Sequence, residues 1–411
     1  MTSYDPNPTI YINDIAISDD SVLNSINITM GRNDLTVQPD AGYAVANFWT
    51  TADVPYTFTL GQKIRIDIAT PTLGDVTIFG GIVSDINVNL EAYGQEGSVA
   101  NYSIGGTGYL SLLNKTKMPY TVVAVNLPAY TLIEDELGYG FLISWDEVAP
   151  TLTWADYDLT TTWDDLDVYL DYWDPHPGTP AGDYDLSVAA IGVDSVLSEC
   201  QVFANSARGV LYERPNGKIR YDGYLKRDDY TAIDLTDDDI LAAGLSTDSH
   251  LSDIVNTVTV SYTGGEETSG DGNSQIIYGK LEGTRETVLA NSTDAADQAL
   301  AFALARSYPK TYPRQMTIPL HSPTVSDATR DALSAVFCGS KVSIINLPAV
   351  FDYSLLGFVE NINWQIKEKE AFLTIGCSER FETYPSTVWA QIPYATTWSV
   401  YNPIIQWEDL I

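Results

Sequence analysis

Over the first hundred positions, hydrophobic and polar residues alternate in short runs. TIYIND (9–14), VLNSINITMG (22–31) and YAVANFW (43–49) carry β-branched and aromatic residues and are bounded by Asn, Asp, Gly or Pro. The pattern predicts strands and turns across 9–60, with a turn at QPDAGY (38–43). No helical period precedes about residue 110.

One stretch of this kind occurs twice. The first copy runs from Gly61 to Ile104 and opens GQKIRI; the second runs from Gly339 to Ile375 and opens GSKVSI. FGGIVSDINV (79–88) then matches LGFVENINW (356–364), and YSIGGT (102–107) matches LTIGCS (373–378). The first Gly and the shared Val are 22 positions apart in copy one (Gly61, Val83) and 20 in copy two (Gly339, Val359). Matching residue types in matching order point to two copies of one small β-module; the alternative is two unrelated meanders with ordinary strand chemistry. Short strands must hide their edges, so each copy is expected to close into a small β-barrel.

Helical patterns lie between the copies. GYLSLLNKTKMPY predicts a short helix or crossover, and 194–208 a helix with one apolar face and Gly209 as its stop. Pro215-Asn216-Gly217 separates two strand-like runs and predicts a hairpin. Thr236 and Asp239 have capping-box spacing. NTVTVSY (256–262) reads as a strand and TGGEETSGDGNSQ after it as a flexible loop. Further helices are expected over 293–308, capped by Thr293, and 326–338, capped by Ser326 and ended by Gly339.

The expected fold is α+β, mainly β, with five parts. These are barrel 1 (1–112), an acidic Trp-rich insert with a helix–hairpin domain (113–235), a strand–loop–helix connection (236–310), barrel 2 (311–385) and a C-terminal arm (386–411). Trp154, Trp163 and Trp173 are nine and ten residues apart, Trp389, Trp398 and Trp407 nine apart, and both stretches contain TTW. These six tryptophans are candidate partner anchors; stacking on sugar rings and filling the chain's own cores are the other two readings.

Composition then narrows the function. The formal net charge is −34, and no Lys or Arg lies between Lys117 and Arg208, an interval with 16 Asp and Glu. Such a chain is unsuited to ordinary nucleic-acid binding, which needs cations to displace phosphate counterions, and to anionic membrane surfaces. An adaptation to saline surroundings is the other reading of that charge. No apolar run is long enough for a membrane span, and the N-terminal residues do not read as a secretory signal. The basic residues Arg208, Arg214, Lys218, Arg220, Lys226 and Arg227 cluster around the expected hairpin.

Catalytic and cofactor chemistry finds no foothold. Cys200, Cys338 and Cys377 are far apart, and His176, His250 and His321 have no partner at metal-ligand spacing. No GxSxG, HExxH or Walker sequence is present. Asp164, Asp165 and Asp167, like Asp237, Asp238 and Asp239, lack the spacing of a calcium loop and read as solvated acidic faces. The expectation is a protein without enzymatic activity, cofactor or metal.

INITMGRNDLTVQPDAGYAVANFW, FGGIVSDINV, SARGVLYERPNGKIRYDGYLKR and LPAVFDYSLLGFVENINW together resemble the minor tail or baseplate-hub proteins of long-tailed bacteriophages. The resemblance covers roughly 10–110 and 195–380 and fits the acidic insert and C-terminal arm least. It implies a virion tail location and a homotrimer whose two barrels per chain build a pseudo-six-fold ring. That ring would join the tail tube to the distal tip, bind other tail proteins and line the DNA channel. A tip protein that recognises host glycans through its Trp/Asp arms is the alternative.

Overall fold

The computed structural model describes residues 4–17, 21–33, 37–50, 58–94, 97–117, 124–140, 172–174, 184–188, 195–241, 245, 251–309, 313–351 and 354–380. Among the described residues seven strands precede the first helix: β1 (Thr9–Ile12), β2 (Ile15–Ala16), β3 (Ser21–Gly31), β4 (Asp40–Thr50), β5 (Lys63–Thr70), β6 (Gly74–Gly94) and β7 (Gly97–Thr107). Period-two alternation turns Ala44, Ala46 and Phe48 of β4 inward. Ile64 and Ile66 of β5 join them in the same core.

The middle of the chain contains α1 (Leu110–Lys115), β8 (Ala124–Pro128), α2 (Ala129–Gly140), β9 (Asp185–Val188), α3 (Val196–Ser206), β10 (Val210–Glu213), β11 (Ile219–Asp222) and β12 (Ile233–Thr236). After it come β13 (Thr257–Tyr262), β14 (Gly265–Gly270), α4 (Gly272–Tyr278), β15 (Glu282–Leu289) and α5 (Ser292–Ala305). The chain then returns to the first sheet through β16 (Gln315–Pro319), α6 (Asp327–Ser334), β17 (Lys341–Ile345), β18 (Ser354–Ile366) and β19 (Ala371–Glu379).

The fold is mainly β with α+β character, and the repeated stretch is one substructure used twice. β4, β7, β6 and β5 are neighbours in that order, and so are β16, β19, β18 and β17, all antiparallel. The Gly61 N–H donates to the Val83 carbonyl (2.9 Å), and the Val83 N–H to the Gln62 carbonyl (2.8 Å). Gly339, Val359 and Ser340 repeat both bonds at 2.7 and 2.8 Å. Both glycines have positive φ, 84° and 105°, as the turn into the strand requires. The register slips at the same place in each copy, between Val83 and Asp85 and between Val359 and Asn361, so Ser84 and Glu360 are equivalent bulge positions.

The expected closed barrels are not what forms. Among the described residues the strands of both copies belong to one 12-stranded sheet, joined where β3 pairs antiparallel with β18 from Gly31↔Asn361 to Ile26↔Ile366. Edges are hidden by joining module to module, with β3 lying between β4 and β18. One hydrophobic core follows the sheet, with Ile26, Ile28 and Phe48 from the first half and Ile344, Ile362 and Trp364 from the second. A second core contains α1, α2, α3, the β10–β11 hairpin and residues of β13, β15 and α5, and so draws on both sides of position 235.

Four local expectations change. The Gly-rich stretch after β13 is an ordered hairpin: β14 pairs with β13 from Tyr262↔Gly265 to Thr257↔Gly270. It reads as a loop because an exposed edge strand needs no apolar face. Helix α5 is capped by Asn291, whose side chain accepts from the Asp294 N–H, rather than by Thr293. Helix α6 keeps its Ser326 cap but ends at Ser334, short of Gly339. At the end of α3, Arg208 and not Gly209 takes the left-handed turn (φ 58°). Its guanidinium stacks on Tyr224, 4.7 Å from the ring centroid, which offsets that strain. The hairpin at Pro215-Asn216-Gly217 and the Thr236–Asp239 capping box form as expected, the latter on a 3-10 turn.

The two kinds of glycine give separable costs. Gly31 ends β3 with φ 95°, and a Cβ there would lie 2.1 Å from the Glu360 carbonyl oxygen; Gly61 has φ 84° with open space around it. Gly61→Ala is expected to cost about 1–2 kcal/mol, the left-handed penalty alone. Gly31→Ala adds a backbone clash and is expected to cost at least about 3 kcal/mol. Urea unfolding of the two variants checks the order.

Candidate functional site

The seam where β3 meets β18 holds a buried cluster of charges, Glu360 with Arg32 and Arg227. Glu360, the bulge residue of β18, is 5% exposed. Its carboxylate accepts from Arg32 Nε (2.8 Å), Arg227 Nη2 (2.7 Å) and Ser378 Oγ (2.7 Å). Arg32 directly follows β3, and its N–H donates to the Glu360 carbonyl at 2.7 Å, extending the ladder across the seam. Arg227 is fully buried and its guanidinium lies 4.5 Å from the Phe358 ring centroid. Burial alone would raise the Glu360 carboxyl; Arg227 and Arg32 outweigh it and hold it below the ordinary glutamate range.

The helix–hairpin unit clamps both modules. On the β18 side, Asp228 accepts from Lys341 Nζ (2.9 Å) and from Arg380 Nε (2.7 Å) and Nη2 (2.9 Å). Burial opposes ionisation of Asp228, but Arg380 and Lys341 prevail and its pKa falls to about 2. On the β4 side, Glu213 at the end of β10 accepts from the Gly42 N–H (2.6 Å) and the Leu110 N–H (2.5 Å), the latter at the start of α1. Gln38 donates to the Gly209 carbonyl (2.9 Å) and accepts from the Leu211 N–H (2.9 Å). Burial pushes Glu213 up to about 7 against these two backbone hydrogen bonds.

The basic cluster seen in the sequence is part of this clamp. Arg214 and Arg220 share Asp174 (2.7 and 2.9 Å), and Arg220 also reaches Asp222 (3.0 Å). Asp222 is fully buried and accepts from the Tyr212 and Tyr230 hydroxyls (2.7 and 2.9 Å). Glu360, Glu213 and Arg32 escaped the sequence reading. Their signal was a charged residue inside or beside an apolar strand: Glu360 in LLGFVENINW and Glu213 in GVLYERP.

Of the six candidate anchor tryptophans, Trp173 is 1% exposed in the second core, bridged to Ile219 and 6.3 Å from the Tyr130 ring. It fills this chain's own interior. Trp154, Trp163, Trp389, Trp398 and Trp407 lie outside the described residues, as do His176, His250, Asp164, Asp165 and Asp167. His321 packs on Phe372, and its Nδ1 is 3.2 Å from the Ala371 carbonyl. Asp239 accepts from the Thr236 N–H and hydroxyl as a cap. Cys200, Cys338 and Cys377 are free and buried.

No family model matches the chain, and no curated protein sequence matches it. Solved structures do. The 43 kDa tail protein of prophage MuSo2 from Shewanella oneidensis aligns with a TM-score of 0.56 at 10% identity, over 92% of this chain and 99% of that one. A tail protein from Neisseria meningitidis MC58 gives 0.56 at 10%, over 92% and 98%. Prophage tail protein gp18 from Listeria monocytogenes EGD-e gives 0.50 at 8%, over 91% and 95%. The chain has the fold of these phage tail proteins over nearly its whole length.

The two buried glutamates predict a stability maximum near about pH 5. Glu360, held low, contributes above the ordinary glutamate range, and its contribution is lost as pH falls below it. Glu213, pushed up, contributes fully below that range and loses its contribution as pH rises through about 7. The Glu213 difference corresponds to about 3 kcal/mol. Glu136, pushed to about 7 by burial and by Glu199, adds a decline of the same sign. Glu213→Gln is expected to flatten the fall in urea-unfolding stability between pH 5 and 8. Glu360→Gln, which leaves Arg32 and Arg227 facing a neutral amide, is expected to cost about 3–5 kcal/mol at pH 7.

Proposed function

We propose that this chain is a structural, non-enzymatic subunit of a phage tail tip. It acts as a hub protein whose two β-modules take equivalent places in a symmetric ring between the tail tube and the distal tip. The observation that carries this reading is the module pair itself: the same four-strand order, the same glycine-to-valine hydrogen bonds and the same bulge occur twice in one chain. A chain with two equivalent modules offers six quasi-equivalent positions from three copies, which lets a three-fold tip meet a six-fold tube. The shared fold with prophage tail proteins supports a place in the virion tail, with other tail proteins as partners.

The charge of the chain fits a ring around passing DNA. With a formal net charge of −34, carboxylates facing a lumen would repel phosphates and keep the genome from sticking. The seam network suits a rigid joint, because charged groups satisfied inside a sheet fix one relative placement of the modules.

The purified chain is expected to show the mass of three copies, or to reach it on addition of tail-tube protein, and to appear in electron micrographs as a ring with three-fold symmetry. A chain that stays at 45.1 kDa under both conditions would overturn the reading.

A further inference from the structure

At the margin of the second core three arginines gather around one aromatic ring. Arg285 lies on β15, Arg208 just after α3 and Arg306 directly after α5. The Arg285 and Arg208 guanidiniums are 4.4 and 5.3 Å from the centroid of the Phe302 ring, near the end of α5. Arg306 follows Phe302 by four positions, one helical turn on, and so lies on the same side of the helix. Arg208 also stacks on Tyr224 and hydrogen-bonds the Tyr184 hydroxyl, and the two tyrosine rings stack with centroids 5.4 Å apart. All six residues are partly exposed, so solvent reaches this corner.

The positive charge collected here exceeds what the fold uses. Arg285 Nη2 donates to the Asn205 carbonyl in the last turn of α3, an ordinary use of a cation at a helix C-terminus. Its Nε is buried and has no hydrogen-bond partner. Among the described residues no carboxylate lies within ion-pair distance of Arg285 or Arg306. Burial, followed by repulsion from Arg208, Arg306 and Arg32, pushes Arg285 down to about 9. A helix end carries about half a negative charge. The ends of α3 and α5 therefore offset about one of the two charges on Arg285 and Arg306 and leave about one over. A partly buried charge left over in this way costs stability, and an incoming anion recovers it.

We infer that the corner formed by Arg208, Arg285 and Arg306 is a docking site for a carboxylate side chain on an acidic segment of a partner protein. The chemistry of the corner selects that occupant. One surplus charge matches one carboxylate. Arg285 Nε and the Arg306 guanidinium supply planar N–H donors, which carboxylates accept in pairs. Phe302 and the stacked Tyr184 and Tyr224 form an apolar wall for the methylenes that carry the acid. A nucleic-acid strand, charged at every phosphate, is instead repelled along its length by a chain with a formal net charge of −34. The site goes beyond the ring reading and does not need the ring to form.

The probe that tests it is a fluorescein-labelled tetraglutamate peptide, titrated with the full chain at about 0.15 M salt, where a screening length of about 8 Å mutes the overall charge. A saturable rise in anisotropy is expected. Arg306→Glu is expected to weaken binding about ten-fold, with the fold retained by circular dichroism. Lys369→Glu makes the same charge change on an exposed turn and is expected to leave binding unaltered. Arg285→Lys keeps the charge but loses the planar fork; it is expected to weaken binding severalfold and serves in place of Arg306→Glu if that variant does not fold. A wild-type chain that does not bind the peptide, or equal weakening by Arg306→Glu and Lys369→Glu, overturns the site. Displacement of the probe by inorganic phosphate or a short oligothymidylate at lower concentration than by unlabelled peptide assigns the corner to phosphate and overturns the carboxylate reading. None of these results changes the mass or symmetry of the assembly, on which the ring reading is tested separately.

Discussion

The arrangement of the first sheet depends on one carboxylate. Glu360 sits at a bulge, where a strand has one residue more than its partner, and it satisfies two guanidiniums that come from opposite directions: Arg32 from the end of β3 and Arg227 from the 3-10 turn after the hairpin. Removing any one of these groups leaves the others charged and buried, a cost far above the worth of a surface ion pair. The equivalent bulge in the first module holds Ser84, so duplicated geometry is put to two uses. In one copy the bulge anchors a seam. In the other it borders an edge on which no strand is described.

That asymmetry connects the fold to its proposed role. A single β-module with two bare edges would be an aggregation hazard. Two modules joined by β3 leave fewer edges, at defined places, and the charged hairpin unit fixes their relative placement through Glu213 on one side and Asp228 on the other. In a chain with 55 acidic and 21 basic residues, several of the scarce cations are spent there.

The sequence reading and the structure diverge where pairing is long-range. Alternation in YAVANFW and KIRI located strands β4 and β5, and Pro215-Asn216-Gly217 located the hairpin, because those signals are local. Closure into two barrels was a plausible answer to the edge problem, yet β3 solves it by pairing across 330 positions, from Gly31 to Asn361. The polar stretch GEETSG hid an edge strand for a related reason: it buries no apolar side chain and so carries no apolar period to detect. Trp173 shared its spacing with tryptophans read as arms, but burial against Ile219 is a property of the assembled core and not of spacing.

By itself the sequence determined the duplication, the mainly β character, the helix cap at Ser326, and the absence of recognisable catalytic motifs. Each of these is written in residue types a few positions apart, where turns, caps and alternation act. The tertiary structure alone decided that the modules share one sheet and that Glu360 binds two arginines. It alone decided that Val88 and Leu90 stand exposed where Trp364 and Ile366 are covered. These facts depend on which strand lies beside which, and strand partners are chosen by the summed packing of distant segments, which no local pattern encodes.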